Sequence, residues 1–548
     1  MSSPESNGFQ RRIGLFDATM LVSGTMIGSG IFIVASDMAR DVGSAGWLLG
    51  LWIVTGIMTL LGALSYAELA SMMPHAGGQY VYLKEAYGSL WGFLYGWSAF
   101  LVIQCGSIAA VAVAFAKFLG VLWPRLGTGP DAALFTITGL DWKVGLPLPW
   151  LREPLIIFER SEFMITAGQL VAVGIVILLT LVNCRGVKEG KTIQNLFTVA
   201  KIGALLAMIL VGVFLANKPE VAWNNWNGAW DFFSQSNPPG KGSRFLSIQA
   251  LTGAPEFLVM LMVAGGAMVG SLFSTDAWNN VTFSSAEVKN PARTVPRSLI
   301  FGTLLVTTLY LLANLTYLMV LPVQGDEALA GMLKSIPSED LTLAANYPNS
   351  TQLLGISQAK DDRVGTAVLQ AASPKLGVPL MAIAIMVSTF GCLNGMILLG
   401  ARLYYAMAQD GLFFKRVGEL NKSGVPQAGL ICQGIWAILL IFSGTYSELL
   451  DYVIFVALLF YFMTVLGLFV LRVRRPKAER PFRVPGYPIL PALYMVLCFL
   501  VMGDLLIVRP EYTWPGLLIV LTGVPVYCVW RVLGKCPKSG TSAKPLVE

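Results

Sequence analysis

Apolar runs of about 20 residues, the length a helix needs to cross about 30 Å of hydrocarbon, recur along almost the whole chain. Twelve can be drawn: 15 to 38, 46 to 72, 88 to 121, 161 to 183, 193 to 216, 258 to 286, 296 to 322, 379 to 408, 427 to 443, 447 to 471, 489 to 508 and 514 to 532. With 55% hydrophobic and 13% charged residues among 548, and a mean hydropathy of +0.66, a water-soluble fold would leave much of this surface uncovered. The expected fold class is an all-α integral membrane protein of about twelve transmembrane helices. The first run follows Arg11 and Arg12 and contains a Ser-Gly pair, so it reads as a spanning helix and not as a cleaved leader.

Orientation follows from Lys and Arg, which resist translocation in short loops. The densest run, Arg472, Arg474, Arg475, Lys477, Arg480 and Arg483, falls on the side of the N terminus. Both termini are therefore expected in the cytoplasm, and the membrane is expected to be the plasma (inner) membrane. The net charge of +7 is read as this topology signal and not as a nucleic-acid surface. The cysteines fall in helices or at cytoplasmic ends with no metal-site spacing, and His75 is the single histidine. No disulfide, metal or cofactor is expected.

Three outer stretches, 122 to 160, 217 to 257 and 323 to 378, are long and bear Pro and Gly. Trp223, Trp226 and Trp230 read as interfacial anchors, with a substrate lid as the other reading. The third stretch holds the sequon Asn349-Ser350-Thr351.

Glycine and polar residues interrupt spans one and six. Span one carries Gly24-Thr25-Met26-Ile27-Gly28-Ser29-Gly30 at mid-membrane; span six carries Gly265-Gly266, Gly270-Ser271 and Ser274-Thr275-Asp276. Interruptions five spans apart suggest two related halves, and an odd number of spans per half inserts the second upside down. The expected division is a cytoplasmic segment 1–14, a first five-helix repeat 15–216, a second inverted repeat 258–471, two C-terminal helices 489–532 and a cytoplasmic tail 533–548. Close helix packing is the plain alternative for Gly28 and Gly30. Two-residue spacing makes no such stripe, however, and two glycines raise the cost of a continuous helix by about 2 kcal/mol. Unwinding is the favoured reading.

At this point the residues resemble a known family. Gly24 to Phe32 is similar to the first-helix signature of the amino acid/polyamine/organocation superfamily, especially its L-type amino acid transporter branch. Tyr66-Ala67-Glu68-Leu69, Gly77-Gly78-Gln79-Tyr80 and Tyr87-Gly88-Ser89-Leu90 resemble its second helix, inner loop and third-helix start. Gly270-Ser271-Leu272-Phe273 with Trp278-Asn279, then Glu287 and Asn290-Pro291, resembles the sixth helix and the loop after it, and Arg402-Leu403-Tyr404 the end of the eighth. The resemblance implies the five-plus-five inverted repeat of the bacterial leucine transporter, with helices one and six broken, and transport of amino acids.

Elementary electrostatics agrees, because a zwitterion must find partners for both of its charges in low dielectric. Unwinding at Gly28 to Gly30 opens the N terminus of an outer half-helix, where the N–H groups of Ser29 and Gly30 can meet a carboxylate. Carbonyls of the span-six break, around Phe273 and Ser274, and those of Met26 and Ile27 can accept from an ammonium. By resemblance Phe273 is a gate over the substrate; filling a helix interface is its other reading. Asp276 stands where the L-type pattern has glycine, and either caps the inner half-helix or binds a cationic group. Cys392 and Asn394 are pocket candidates that could equally be packing.

Lys201 lies roughly 12 Å from the cytoplasmic end of span five, within reach of snorkelling. By resemblance it stands where sodium-coupled relatives hold the ion, near the Gly24 and Ile27 carbonyls and the hydroxyls of Ser388 and Thr389. Sodium dependence should then be absent, and an amine at that depth could load and release a proton. Stretch 122 to 160 lacks the cysteine through which some L-type members attach a single-span glycoprotein, so no disulfide-linked heavy chain is expected. The expected partners are a small amino acid substrate and the lipid bilayer, with neutral L-amino acids favoured and a cationic amino acid or polyamine permease, or a non-transporting nutrient sensor, as alternatives. An intramembrane enzyme would need more than Lys201 and Asp276 at depth.

Overall fold

The computed structural model describes residues 9–146, 155–232, 244–252, 254–325, 354–442 and 446–532. Among them, eleven helical spans are long and apolar enough to cross a bilayer, from Leu15–Val42 to Thr513–Val532. A further apolar helix, Gln427–Ile441, has 15 residues, about 22 Å of axis, and fills the place of the ninth expected span. The expected all-α multipass membrane architecture is the one found.

Span one consists of two helices. α1 (Leu15–Met26) stops where the sequence turns to Gly28-Ser29-Gly30, and α2 (Gly30–Val42) resumes after three non-helical residues. Gly43 closes α2 with a φ of +67°, a left-handed conformation that costs glycine nothing. α3 (Ala45–Met72) returns to the face where α1 begins, called the inner face below. After the short α4 (Gln79–Tyr87), α5 (Ser89–Ser98) and α6 (Gln104–Leu122) form the third span, joined by a π turn at Ala99–Ile103.

The outer stretch that follows is not irregular. β1 (Ala133–Leu146) and β2 (Leu155–Thr166) pair as an antiparallel hairpin with register shifts. The alternation in Phe135-Thr136-Ile137-Thr138 carries that period-two signal. The hairpin delays span four from the expected 161 to Ala167, where the Thr166 hydroxyl accepts from Gln169 N at 3.3 Å and starts α7 (Ala167–Arg185).

The chain continues as α8 (Val187–Val211), the outer helices α9 (Pro219–Trp226) and α10 (Arg244–Thr252), and α11 (Glu256–Ser274). A break at Thr275–Ala277 leads to a 3-10 segment, Trp278–Glu287, and α12 (Pro291–Val320). The rest is α13 (Val364–Ala372), α14 (Gly377–Gln409), α15 (Gln427–Ile441), α16 (Tyr446–Arg474), α17 (Ile489–Val508) and α18 (Pro510–Val532). Trp223, Trp226 and Trp230 are exposed, which fits an interfacial anchor and a lid alike. The sequon and the two chain ends fall outside the described residues.

Helices distant in sequence pack together. α8, the fifth span, packs on α14, the eighth; α16, the tenth, packs on α6, the third. Charges pin the inner face: Arg402 Nε donates to Glu287 Oε1 at 2.9 Å with both side chains buried, and Arg472 and Arg480 close on the buried Glu68. Ile13 bridges Val288, so the segment before α1 is sewn to the segment after span six. On the outer face, Arg40 at the end of α2 donates to Asp362 at 2.7 Å and Arg244 donates to Asp41 at 2.6 Å.

Candidate functional site

A helix that stops in mid-membrane strands its last carbonyls where no water can reach them. Side chains from three other helices answer those of α1. Lys201 Nζ, from α8, donates to Gly24 O and Ile27 O, each at 2.8 Å. Cys392 Sγ lies 3.0 Å from Thr25 O, and Ser388 Oγ lies 3.2 Å from Ile27 O and 3.0 Å from Gly28 O, both from α14. The Tyr310 hydroxyl, from α12, lies 3.1 Å from Met26 O. Every carbonyl from Gly24 to Gly28 thus faces a donor.

Span six breaks beside it. Ser274 ends α11 and Ala277 takes a φ of +64° before the 3-10 segment begins. The Tyr310 hydroxyl also lies 3.1 Å from Ser274 O, and the Thr25 hydroxyl 3.1 Å from Ala277 O. Gly30 lets the two breaks touch, since a Cβ there would lie 2.2 Å from Ser274 Oγ. Gly30 therefore serves both readings of the sequence, unwinding and close packing.

The structure brings together Gly24, Met26, Ile27, Gly28, Ser29, Gly30, Ser274, Asp276, Lys201 and Ser388. Phe273 is buried at the end of α11. Two expected residues are committed elsewhere. Thr389 turns its hydroxyl onto Ile385 O and Met386 O of its own helix and does not join the lysine. Asn394 gives its amide to Gly190 O and Gln194 Oε1 and accepts from Asn183, so it ties α14 to α7 and α8. A buried amide that can satisfy itself locally does so.

Asp276 is 9% exposed and receives the Tyr461 hydroxyl of α16. It reaches the Ala277 amide, but no side chain caps the 3-10 segment, so the capping role extends to one N–H at most. No Lys or Arg among the described residues pairs with it. It lines two cavities of about 10 and 20 Å³. One lies against Tyr95, Gln104 and Asn279, the other against Thr59, Leu458 and Tyr494. Each holds about one water.

Sequence reasoning missed four residues. Tyr310 and Tyr461 read as ordinary span aromatics, although Tyr310, Asn314 and Tyr317 form a polar stripe on one face of α12. Gln79 accepts from Asn279 Nδ2 at 2.8 Å, linking two of the family-like motifs. Asp504 of α17 has both carboxyl oxygens buried without a hydrogen-bond partner among the described residues, one of them set against Gly265.

Comparison with known proteins bears on what such a centre serves. Residues 13–524 match a family described as amino acid permease. The b(0,+)-type amino acid transporter 1 of Mus musculus is 28% identical over 528 residues, covering 95% of this chain and 88% of its own. The serine/threonine exchanger SteT of Bacillus subtilis (strain 168) is 27% identical over 95% of this chain and 97% of its own. The large neutral amino acids transporter small subunit 2 of Oryctolagus cuniculus is 29% identical over 96% of this chain and 82% of its own. With two broken helices meeting in mid-membrane and a family match that spans nearly every helix, the chain belongs to the amino acid permease family.

Proposed function

We propose that the protein is a sodium-independent secondary transporter of neutral L-amino acids, working as an exchanger or a proton-coupled symporter. The N–H groups of Ser29 and Gly30 receive the substrate carboxylate, the carbonyls around Met26 and Ser274 receive its ammonium, and Phe273 closes over it. The observation that carries the reading is Lys201. The unwound turn gathers carbonyls that would suit a cation, and Lys201 Nζ sits on two of them at 2.8 Å. A tethered ammonium there leaves no need for a dissolved ion.

The same reading divides the chain into repeats 15–216 and 258–471 and places both termini in the cytoplasm at the plasma (inner) membrane. One relative is named a small subunit; this chain has no cysteine in 122 to 160, which supports a carrier without a disulfide-linked companion.

Asp276 favours one second reading. A buried carboxylate that lines the cavities and has only a phenol and one amide for partners fits a cationic side chain. Proteoliposomes test both. Saturable counterflow of labelled amino acid should persist when choline replaces sodium, and thermal stabilisation by twenty amino acids and several polyamines should rank the substrates. Absence of counterflow with every amino acid, or a strict sodium requirement, refutes the proposal.

A further inference from the structure

Five basic side chains gather where spans one and seven begin at the inner face. Arg12 N and Ile13 N donate to Glu287 O at 2.8 and 3.0 Å, and Lys289 N returns to Ile13 O at 2.8 Å. That stitch sets Arg11 and Arg12, just before α1, beside Lys289, just before α12; Arg293 and Arg297 follow at successive turns of α12. All five are exposed. The acids near them are taken: Glu287 is buried on Arg402, and Asp17 holds Lys191 at 2.8 Å. None of the five has an acidic partner among the described residues. Apolar surface begins directly behind them. Arg293, Arg297, Phe301, Leu304, Thr308 and Leu312 recur at three- and four-residue steps and are all exposed, so one face of α12 runs from arginine into hydrocarbon. On α1, Leu15 and Phe16 are exposed as well. The two helices touch at Gly302, where a Cβ would lie 2.5 Å from Val22 Cγ1. Counting back along each helix puts Arg297 about 7.5 Å and Phe16 about 9 Å from that contact toward the inner face, at nearly one depth.

We propose that this corner, between the inner ends of α1 and α12, binds the headgroup of an anionic membrane phospholipid whose acyl chains lie along Phe16, Phe301 and Leu304. Charge selects the class: five cations without counter-charges draw an anion, whereas a zwitterionic headgroup brings a cation of its own. Arginine forks also match phosphate oxygens in geometry. Continuity selects the source. The face of α12 that carries Arg293 and Arg297 carries Phe301 and Leu304 next, so a lipid satisfies both parts and a free phosphate only one. The site is composite. Arg11 and Arg12 belong to the segment that leads into the inner half of span one, and Lys289, Arg293 and Arg297 to the segment after the break in span six. A phosphate between them favours the arrangement in which the two segments are stitched. Lipid composition thereby sets how readily the inner half of span one leaves α12.

The test titrates the purified full-length protein in detergent with phosphatidylglycerol, phosphatidylcholine or inorganic phosphate, reading the melting temperature and, by native mass spectrometry, the lipid retained. Phosphatidylglycerol should raise the melting temperature saturably and stay bound; the other two should do neither. Arg293→Gln with Arg297→Gln alters two exposed positions and keeps a good helix former, so folding is not at stake. The half-saturating concentration of phosphatidylglycerol should rise about 25-fold, at about fivefold per cation removed. Arg11→Gln with Arg12→Gln, in a different segment, should produce a rise of the same order. Lys477→Gln with Arg483→Gln, two exposed cations elsewhere on the inner side, should change it less than about twofold. Hydrogen exchange over residues 9–16 should slow with phosphatidylglycerol in the wild type and not in the Arg293, Arg297 variant. Equal stabilisation by phosphatidylcholine would reduce the corner to ordinary lipid contact, and equal stabilisation by inorganic phosphate would make it an anion site without a lipid. Equal losses in the Lys477, Arg483 variant would leave only a diffuse positive surface. Any of these, or undiminished binding in the other two variants, overturns the proposal.

Discussion

Lys201→Ala removes the ammonium that closes the break in span one. Lys201 is 1% exposed, and its ammonium donates to Gly24 O and Ile27 O at 2.8 Å. After truncation, Ile27 O retains the Ser388 hydroxyl at 3.2 Å, while Gly24 O loses its lysine donor. A buried acceptor stripped of its partner costs about 1–3 kcal/mol, or about five- to 150-fold in an equilibrium at about 1.4 kcal/mol per tenfold. Removing a buried charge returns some desolvation energy, which places the expected penalty toward the lower half of that range. The empty volume beside Gly391 adds to it, since a Cβ on that glycine would lie only 3.1 Å from the lysine Cε. Lys201→Met separates the two contributions, filling the volume without restoring the donor. Counterflow in proteoliposomes should fall at least about fivefold for both variants, in sodium and in choline alike, if the donor sets the unwound turn. The melting temperature should recover in the methionine variant and transport should not. Wild-type counterflow by Lys201→Ala, or restored transport in Lys201→Met, would falsify this account of the lysine.

Three further outcomes follow from the packing. Gly30→Ala places a Cβ 2.2 Å from Ser274 Oγ and 3.2 Å from Ser274 Cα, which must separate α2 from α11 and abolish counterflow; Gly174→Ala, with nothing within 4 Å, should transport normally and melt slightly higher by the helix propensity of alanine. Loss of transport in both, or in neither, contradicts the close approach. Asp276→Asn should abolish stabilisation by arginine and lysine while neutral amino acids keep theirs, and parallel losses would refute the cationic reading. Arg402→Ala leaves the buried Glu287 without its partner and should cost about 3–5 kcal/mol, whereas Arg40→Ala, in an ion pair 36% and 38% exposed, should cost about 0–1 kcal/mol. Equal melting temperatures for the two variants would show that burial does not set their strength.

The spans were legible because the bilayer imposes one length and one polarity on whatever crosses it. Leu15, Ala45, Pro291 and Gly377 begin helices within a few residues of where the apolar runs begin. The outer stretches answer to no such rule. β1 and β2 arise from local alternation, and paired strands of mixed apolar and charged residues have no composition that separates them from a loop. The delayed start of α7 has the same origin, because Glu162 and Thr166 belong to a strand and a cap while the hydropathy around them already resembles a helix.

At the centre, the legible part was backbone chemistry. Glycines at 28 and 30 announce a break, a break strands carbonyls, and stranded carbonyls need donors; the depth of Lys201 left snorkelling open, and it was the family resemblance that set the lysine at the break. Which donor serves which carbonyl is a matter of tertiary approach, and spacing along one helix cannot show it. Ser388 and Thr389 are adjacent and chemically alike, yet they stand about 100° apart around α14, so one faces the break and the other its own helix. Asn394 carries the same ambiguity, resolved by the neighbouring amides of Asn183 and Gln194. Tyr310 escaped notice because a tyrosine among leucines advertises its ring, whereas its consequence lies in a single hydroxyl placed between Met26 and Ser274. A polar atom on an otherwise apolar side chain gains importance only when two backbones have been broken beside it, and that is information the sequence distributes over α1, α11 and α12 together.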